Sequence, residues 1–142
     1  MKNIHILPTN KPSRFQKTKH DNFFLASKIE LYTDCIAQHI YITSDEQAKQ
    51  GDWGYIPFQG GDVKLVGKYF ADDWKKIILT TDQDLINDGV QAIDDEFLEW
   101  FVKNPSCEEV KINYLYEYPN VKHIGYKIII PSIGINSLKK QD

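Results

Sequence analysis

Short runs rich in Val, Ile, Tyr and Thr, broken every few residues by Gly, Asp, Asn or Pro, recur along this chain. Such spacing predicts many brief strands rather than long helices. The expected strands are Asn3 to Leu7, Arg14 to Thr18, Phe23 to Ala26, His39 to Thr43, Trp53 to Pro57, Val63 to Tyr69, Lys75 to Thr80, Val110 to Tyr118 and Gly125 to Ile130. Turn chemistry separates them: Asp21-Asn22 suits a hairpin, and Gln59-Gly60-Gly61-Asp62 is its glycine-rich counterpart. Val110, Ile112, Tyr114 and Tyr116 fall at every second position, so one face of that strand is expected to pack while Lys111, Asn113 and Glu117 face out. Leu115 breaks the alternation and points to partial cover of the outer face.

One helix stands out, from Asp94 to Asn104. Asp94 is placed as its N-cap, acids fill its first turn where the helix dipole favours them, Ile93 and Leu98 form a staple, and Asn104-Pro105 stops it. Phe97, Leu98, Trp100, Phe101 and Val102 cover an arc of roughly 200°, wider than a surface helix needs, so deep docking is expected. Shorter helical or 3₁₀ turns are expected at Ser44 to Gln50 and Asp82 to Asp88. The fold class is α+β: a bent antiparallel sheet or small open β-barrel with this one main helix, about residues 94–104, packed on its apolar side. Pro8 to Ser13 reads as a linker, and residues 137–142 as a frayed tail.

With 142 residues and 42% hydrophobic content, the chain suits one domain, 1–142, with its own core. An aromatic fraction of 13% argues against disorder, and no uninterrupted apolar stretch codes for an export signal or a membrane span. Cys35 and Cys107, the only cysteines, read as free thiols in a reducing cytoplasm.

A formal net charge of −3 conceals two segments of opposite sign. Residues 1–28 carry Lys2, Lys11, Arg14, Lys17, Lys19 and Lys28 against Asp21 alone, whereas 82–109 carry nine acids against Lys103 alone. Such asymmetry suggests a charged macromolecular partner rather than a small-molecule substrate. Only Arg14 among the bases has the planar fork that reads bases bidentately, so the remaining lysines would attract phosphates without sequence readout.

The acids between 82 and 95 do not make a calcium loop. A register starting at Asp84 puts Asp88 and Gly89 in place, but Ile86 occupies a ligand position and Asp95 replaces the bidentate Glu. They read instead as helix caps and a solvated surface. His5, His20, His39 and His123 lack zinc spacing, Cys107 and Ser44 lack the surroundings of a nucleophile, and Gly60-Gly61 is no phosphate cradle. No catalytic residue, metal or cofactor is therefore assigned.

The basic, aromatic stretch remains. Lys11, Arg14, Phe15, Lys17, Lys19, His20 and Lys28 are the candidate partner-binding residues, with Lys17 and Lys19 expected on one strand face beside Phe15. Interleaved rings and lysines stack bases and track phosphates of single-stranded RNA. The competing reading is an edge strand made lysine-rich to block aggregation.

ITSDE from Ile42 to Glu46, Gly51-Asp52-Trp53, the run KKIILTTDQDLINDGVQAIDDEFLEWFVKNPSCEEV from Lys75 to Val110, and YKIIIP from Tyr126 to Pro131 resemble a family of short proteins carried by bacteriophages and prophages. The opening MKNIHILPTNKPSR is similar to the same family. The resemblance implies a small phage-type protein acting in the bacterial cytoplasm, with no catalytic role attached to it. It suggests an anti-CRISPR-like inhibitor whose partner is a CRISPR effector nuclease or its guide RNA. A virion or assembly component, oligomerising through Trp53, Trp74 and the Tyr-rich strands, and a small nucleic-acid-processing enzyme are the alternatives.

Overall fold

The computed structural model describes residues 2–30, 33–58, 60–68 and 73–131. Two compact units follow one another along the chain, 1–109 and 110–142.

The first unit holds strands β1 (Ile4–Pro8), β2 (Ser13–Thr18), β3 (Phe23–Glu30), β4 (Cys35–Gln47), β5 (Trp53–Ile56), β6 (Asp62–Leu65), β7 (Lys75–Thr80) and β8 (Gln91–Ala92), with helices α1 (Gln83–Asn87) and α2 (Asp95–Lys103). The strands form one bent sheet, not closed into a barrel, in the order β3-β2-β4-β7-β5-β6, while β1 pairs with β4 and β8 with β7. Every pairing is antiparallel except the short β7–β8 ladder.

The long β4 organises the sheet. It pairs along 35–37 with β2, along 38–42 with β1, and along 41–47 with β7. Its ladder to β7 slips at Ile42/Thr43 and again before Gln47, and an extra residue in one strand bends a sheet and raises its twist. The helical turn expected from Ser44 is therefore corrected: β4 runs on to Gln47. Ser44 does accept the amide of Glu46 at 3.2 Å, a local turn contact, but the rung between Gln47 and Lys75 keeps the backbone extended. The strand expected to reach Tyr69 ends at Leu65, and Tyr69 itself lies outside the described residues, as does the 137–142 tail.

Helix α2 starts where its cap chemistry places it. Asp94 is extended and its carboxylate accepts the Phe97 N–H at 2.8 Å; Asn104 closes the other end by donating to the Trp100 carbonyl. Phe97, Leu98 and Phe101 are buried. Phe97 and Phe101 stack at 5.5 Å, Phe101 meets Phe15 of β2 at 5.9 Å, and Phe15 stacks on Phe23 of β3 at 5.0 Å. This ladder of rings fixes the helix to the β2–β3 hairpin. A second cluster joins Tyr41, Tyr55, Ile77 and Leu85, with Leu7, Trp53 and Val63 packed against it.

The described part of the second unit is a two-stranded ribbon, β9 (Lys111–Glu117) and β10 (Lys122–Ile129), in antiparallel register with a bulge between His123 and Gly125. The expected packed face of β9 is corrected here. Tyr114 and Tyr116 are 41% and 44% exposed, and among the ribbon residues only Ile128 is buried.

Candidate functional site

The seven basic-stretch residues have different fates. Lys11 and Arg14 turn back on the chain's own acids. Lys11 forms an ion pair with Asp84, while Arg14 donates from Nε to the Ala26 carbonyl at 2.8 Å and from Nη1 to Asp95 at 2.9 Å. Bases of the first segment thus meet acids of the second, so part of the sequence-level charge asymmetry is internal pairing. Exposed pairs of this kind add little stability, but they do fix where the cations sit.

Phe15 is not a stacking platform for a partner. It is 1% exposed, held in the ring ladder beneath α2, and its expected place beside Lys17 and Lys19 on an open face is corrected. Lys19 lies past the end of β2, in the turn with His20. That turn follows from Thr18 and Asp21. The Thr18 hydroxyl accepts the amides of His20 and Asn22, and Asp21 adopts φ +64°, a left-handed conformation that Asp tolerates better than most residues. Lys17 lies 3.3 Å from Asp21 and 5.8 Å from the Phe23 ring centre. Lys19, His20 and Lys28 are exposed on this hairpin, whose strand β3 forms one end of the sheet order.

A cluster that charge patterning alone does not reveal lies at the start of α1. Asp82 caps that helix through Oδ1, which accepts the Asp84 N–H at 3.0 Å. Its Oδ2 accepts the Tyr41 hydroxyl at 2.6 Å and sits 3.5 Å from His39 Nδ1. His39 is 4% exposed and its ring meets Tyr41 edge-on at 6.2 Å. Burial pushes the Asp82 carboxyl up. Hydrogen bonds from His39 and Tyr41, attraction to the His39 ring and the Asp84 amide outweigh it, holding the carboxyl at about 2. Burial, with Asp82 beside it, raises the Tyr41 hydroxyl.

These groups line a cleft of about 310 Å³ with Lys11, Trp53, Asp62 and Asp84. Trp53 Nε1 donates to Asp88 at 3.0 Å. A buried imidazole beside a carboxylate is a proton-transfer pair in form, yet Asp82 also serves as a cap and as the Tyr41 acceptor. The sequence signal was His39-x-Tyr41, two residues whose side chains share one strand face, followed by an acid just after β7.

Opposite Tyr41 in the β1–β4 register, His5 stacks on Tyr55 at 3.7 Å and meets the Thr43 hydroxyl at 3.3 Å. Burial, then the nearby Lys2, lowers His5 to about 4. Cys35 and Cys107 are free. Among the described residues, no group of three or more His, Cys, Asp or Glu is arranged to hold a metal, and no helix is long and apolar enough to cross a membrane.

On the ribbon, cross-strand partners share a face. Tyr116 faces His123, Tyr114 faces Tyr126, and Ile112 faces Ile128, giving one aromatic face; Lys122, Lys127 and Lys111 take the other, opposite Glu117, Asn113 and Ile129. The rings touch: Tyr114 and Tyr126 lie 5.1 Å apart edge to face, and His123 is 4.6 Å from Tyr126, 5.4 Å from Tyr114 and 5.6 Å from Tyr116. No protein-family model, curated protein or solved structure matches the chain.

Proposed function

We propose that this chain is a non-catalytic binding protein of the phage anti-defence kind, an anti-CRISPR-like inhibitor that engages an RNA-guided nuclease or its guide RNA through the β2–β3 hairpin. The observation that carries the reading is the hairpin's free-facing charge. Lys11 and Arg14 are engaged by Asp84 and Asp95, whereas Lys19, His20 and Lys28 stay exposed around a tight turn, with Lys17 beside them. An edge hairpin bearing lysines offers point charges to a phosphate backbone without base readout. The phage setting comes from the resemblance of the ITSDE, GDW and YKIIIP segments and the long central run.

The test is affinity capture of the tagged protein from its bacterial host, identifying bound protein and RNA together, with the wild type and a Lys19→Glu/Lys28→Glu variant. The expected result is a CRISPR effector or guide RNA that is released by salt and lost in the variant. With two phosphate contacts, the log-log salt slope of RNA binding should be about −1.4, at roughly −0.7 per contact. Unchanged capture by the variant would remove the hairpin from the interface. Turnover of labelled RNA, lost on His39→Ala, would move the activity to the His39–Asp82 cleft and make the chain an enzyme.

A further inference from the structure

His39 carries a ring nitrogen that the fold does not use. Its side chain is only 4% exposed, and Nδ1 lies 3.5 Å from Asp82 Oδ2 and 3.4 Å from the Tyr41 hydroxyl oxygen. Tyr41 gives its own proton to Asp82. Both oxygens therefore present lone pairs to Nδ1, so this hydrogen-bond network assigns the ring proton there and leaves Nε2 of the neutral imidazole as an acceptor. Nε2 makes no hydrogen bond among the described residues, nor is it sealed from solvent; the cleft of about 310 Å³ that the ring lines is its outlet.

We infer that this cleft is a binding site for an organic cation, a guanidinium or primary ammonium group that donates a hydrogen bond to His39 Nε2 and lies among the carboxylates and the indole around it. Charge selects the ligand. Asp62, Asp82 and Asp84 line the cleft against the single ammonium of Lys11, which repels a phosphate and favours a cation. Asp82 is already engaged by Tyr41 and the Asp84 amide, so it orients the imidazole and does not itself meet the ligand. Asp62, with Lys64 3.9 Å away, and Asp84, paired with Lys11, are both more than half exposed and can exchange those partners. Trp53 supplies the wall: its Nε1 is anchored on Asp88 at 3.0 Å, and an indole ring attracts a cation brought within about 6 Å of its centre. The chain's own Lys11 already sets one ammonium on Asp84 at the mouth, and an incoming cation competes with it. None of Lys19, His20 or Lys28 lines this cleft, so its occupancy is independent of the hairpin function proposed above.

The test is an NMR titration of the full chain with agmatine, following the Trp53 indole N–H and the His39 ring, with glucose and inorganic phosphate as neutral and anionic comparisons. Saturable shifts with agmatine alone are expected. Asp62→Asn, at an exposed position, should weaken binding about 2- to 5-fold, and Lys11→Met should tighten it by a similar factor because Asp84 loses its resident cation. His39→Phe keeps a ring and removes the acceptor, which should weaken binding about 10- to 100-fold. The tightening in Lys11→Met is a gain that misfolding does not produce, so the outcome stands even where the His39 variant is unstable.

Agmatine affinity unchanged in both Asp62→Asn and Lys11→Met would overturn the site, since the cation would then bind elsewhere. Saturation by glucose or phosphate in place of agmatine overturns the ligand class, and absence of saturable shifts in wild type and Lys11→Met alike overturns both. A blocked tripeptide with a central arginine separates the sources of the cation. Binding of the peptide at least as tight as agmatine, with the same response to the variants, upholds the site as one for a protein partner's side chain; binding of agmatine alone upholds it as one for a free small cation.

Discussion

Neutralising Asp82 should cost stability at neutral pH and almost none in strong acid. The carboxylate faces three polar groups: Oδ1 takes the Asp84 amide at 3.0 Å, while Oδ2 takes the Tyr41 hydroxyl at 2.6 Å and faces His39 Nδ1 at 3.5 Å. Its pKa falls from 3.8 to about 2 on folding. A folded-state pKa below the unfolded one adds stability that is complete above the unfolded value and is lost as pH falls through the folded value. A shift of this size is on the order of 2 to 3 kcal/mol, which should disappear between about pH 4 and pH 2.

Asp82→Asn is the informative substitution, because the amide oxygen can still cap α1 and the amide nitrogen can donate to the Tyr41 hydroxyl oxygen while the charge is gone. Urea unfolding followed by tryptophan fluorescence at a series of pH values should show the variant about 2 kcal/mol less stable than wild type at pH 7. The two curves should converge below pH 2, where wild type has also lost its charge. Asp82→Ala should cost about 1 kcal/mol more at every pH, the worth of an N-cap. Tyr41→Phe combined with Asp82→Asn should cost less than the sum of the single changes, since the hydroxyl and the carboxylate are partners in one charge-assisted bond. A stability gap that stays constant from pH 7 to pH 2 would refute the reasoning, because the loss would then come from shape and not from charge.

Two further outcomes test the rest of the fold. NMR titration of the His5 ring should place its pKa near 4, so the protein should lose stability as pH falls from 6.5 to 4 and this buried ring is forced to charge; a His5 that titrates near 6.5 would show that the Tyr55 stack is open to water. Phe101→Ala should lower unfolding stability by about 3 to 5 kcal/mol, because the ring is fully buried between Phe15 and Phe97; a loss below about 1 kcal/mol in urea titration would mean that the ring ladder does not hold α2 in place.

Local chemistry was the legible part of the sequence. Helix α2 could be placed to within a residue because its signals are self-contained: an Asp cap that bonds three residues on, acids in the first turn, and Asn104-Pro105 after the last. The hairpin turn at Asp21-Asn22 was legible for the same reason, being made by Thr18 and its immediate neighbours. The extent of β3 and β4 was not, since a strand's length depends on which other strand lies beside it. Ser44 makes the turn contact that its sequence suggests, yet its backbone stays extended because β7 runs alongside.

Burial and charge exposed the deeper limit. Phe15-x-Lys17 in β2 and Tyr114-x-Tyr116 in β9 have the same period of two, which says that side chains share a face but not what lies over it. The first was expected to be open and is sealed, because α2 brings Phe101 against Phe15; the second was expected to pack and leaves its tyrosines exposed. Charge behaves the same way. Two oppositely charged segments look like two docking surfaces in a linear sequence, but folding sets Lys11 against Asp84 and Arg14 against Asp95, and so removes the two cations that seemed central to an interface. What survives that internal pairing is a smaller and more specific set of exposed lysines. Reversing Lys19 and Lys28 therefore probes partner binding directly, whereas reversing Lys11, Arg14 or Lys17 would disturb the chain's own ion pairs at the same time.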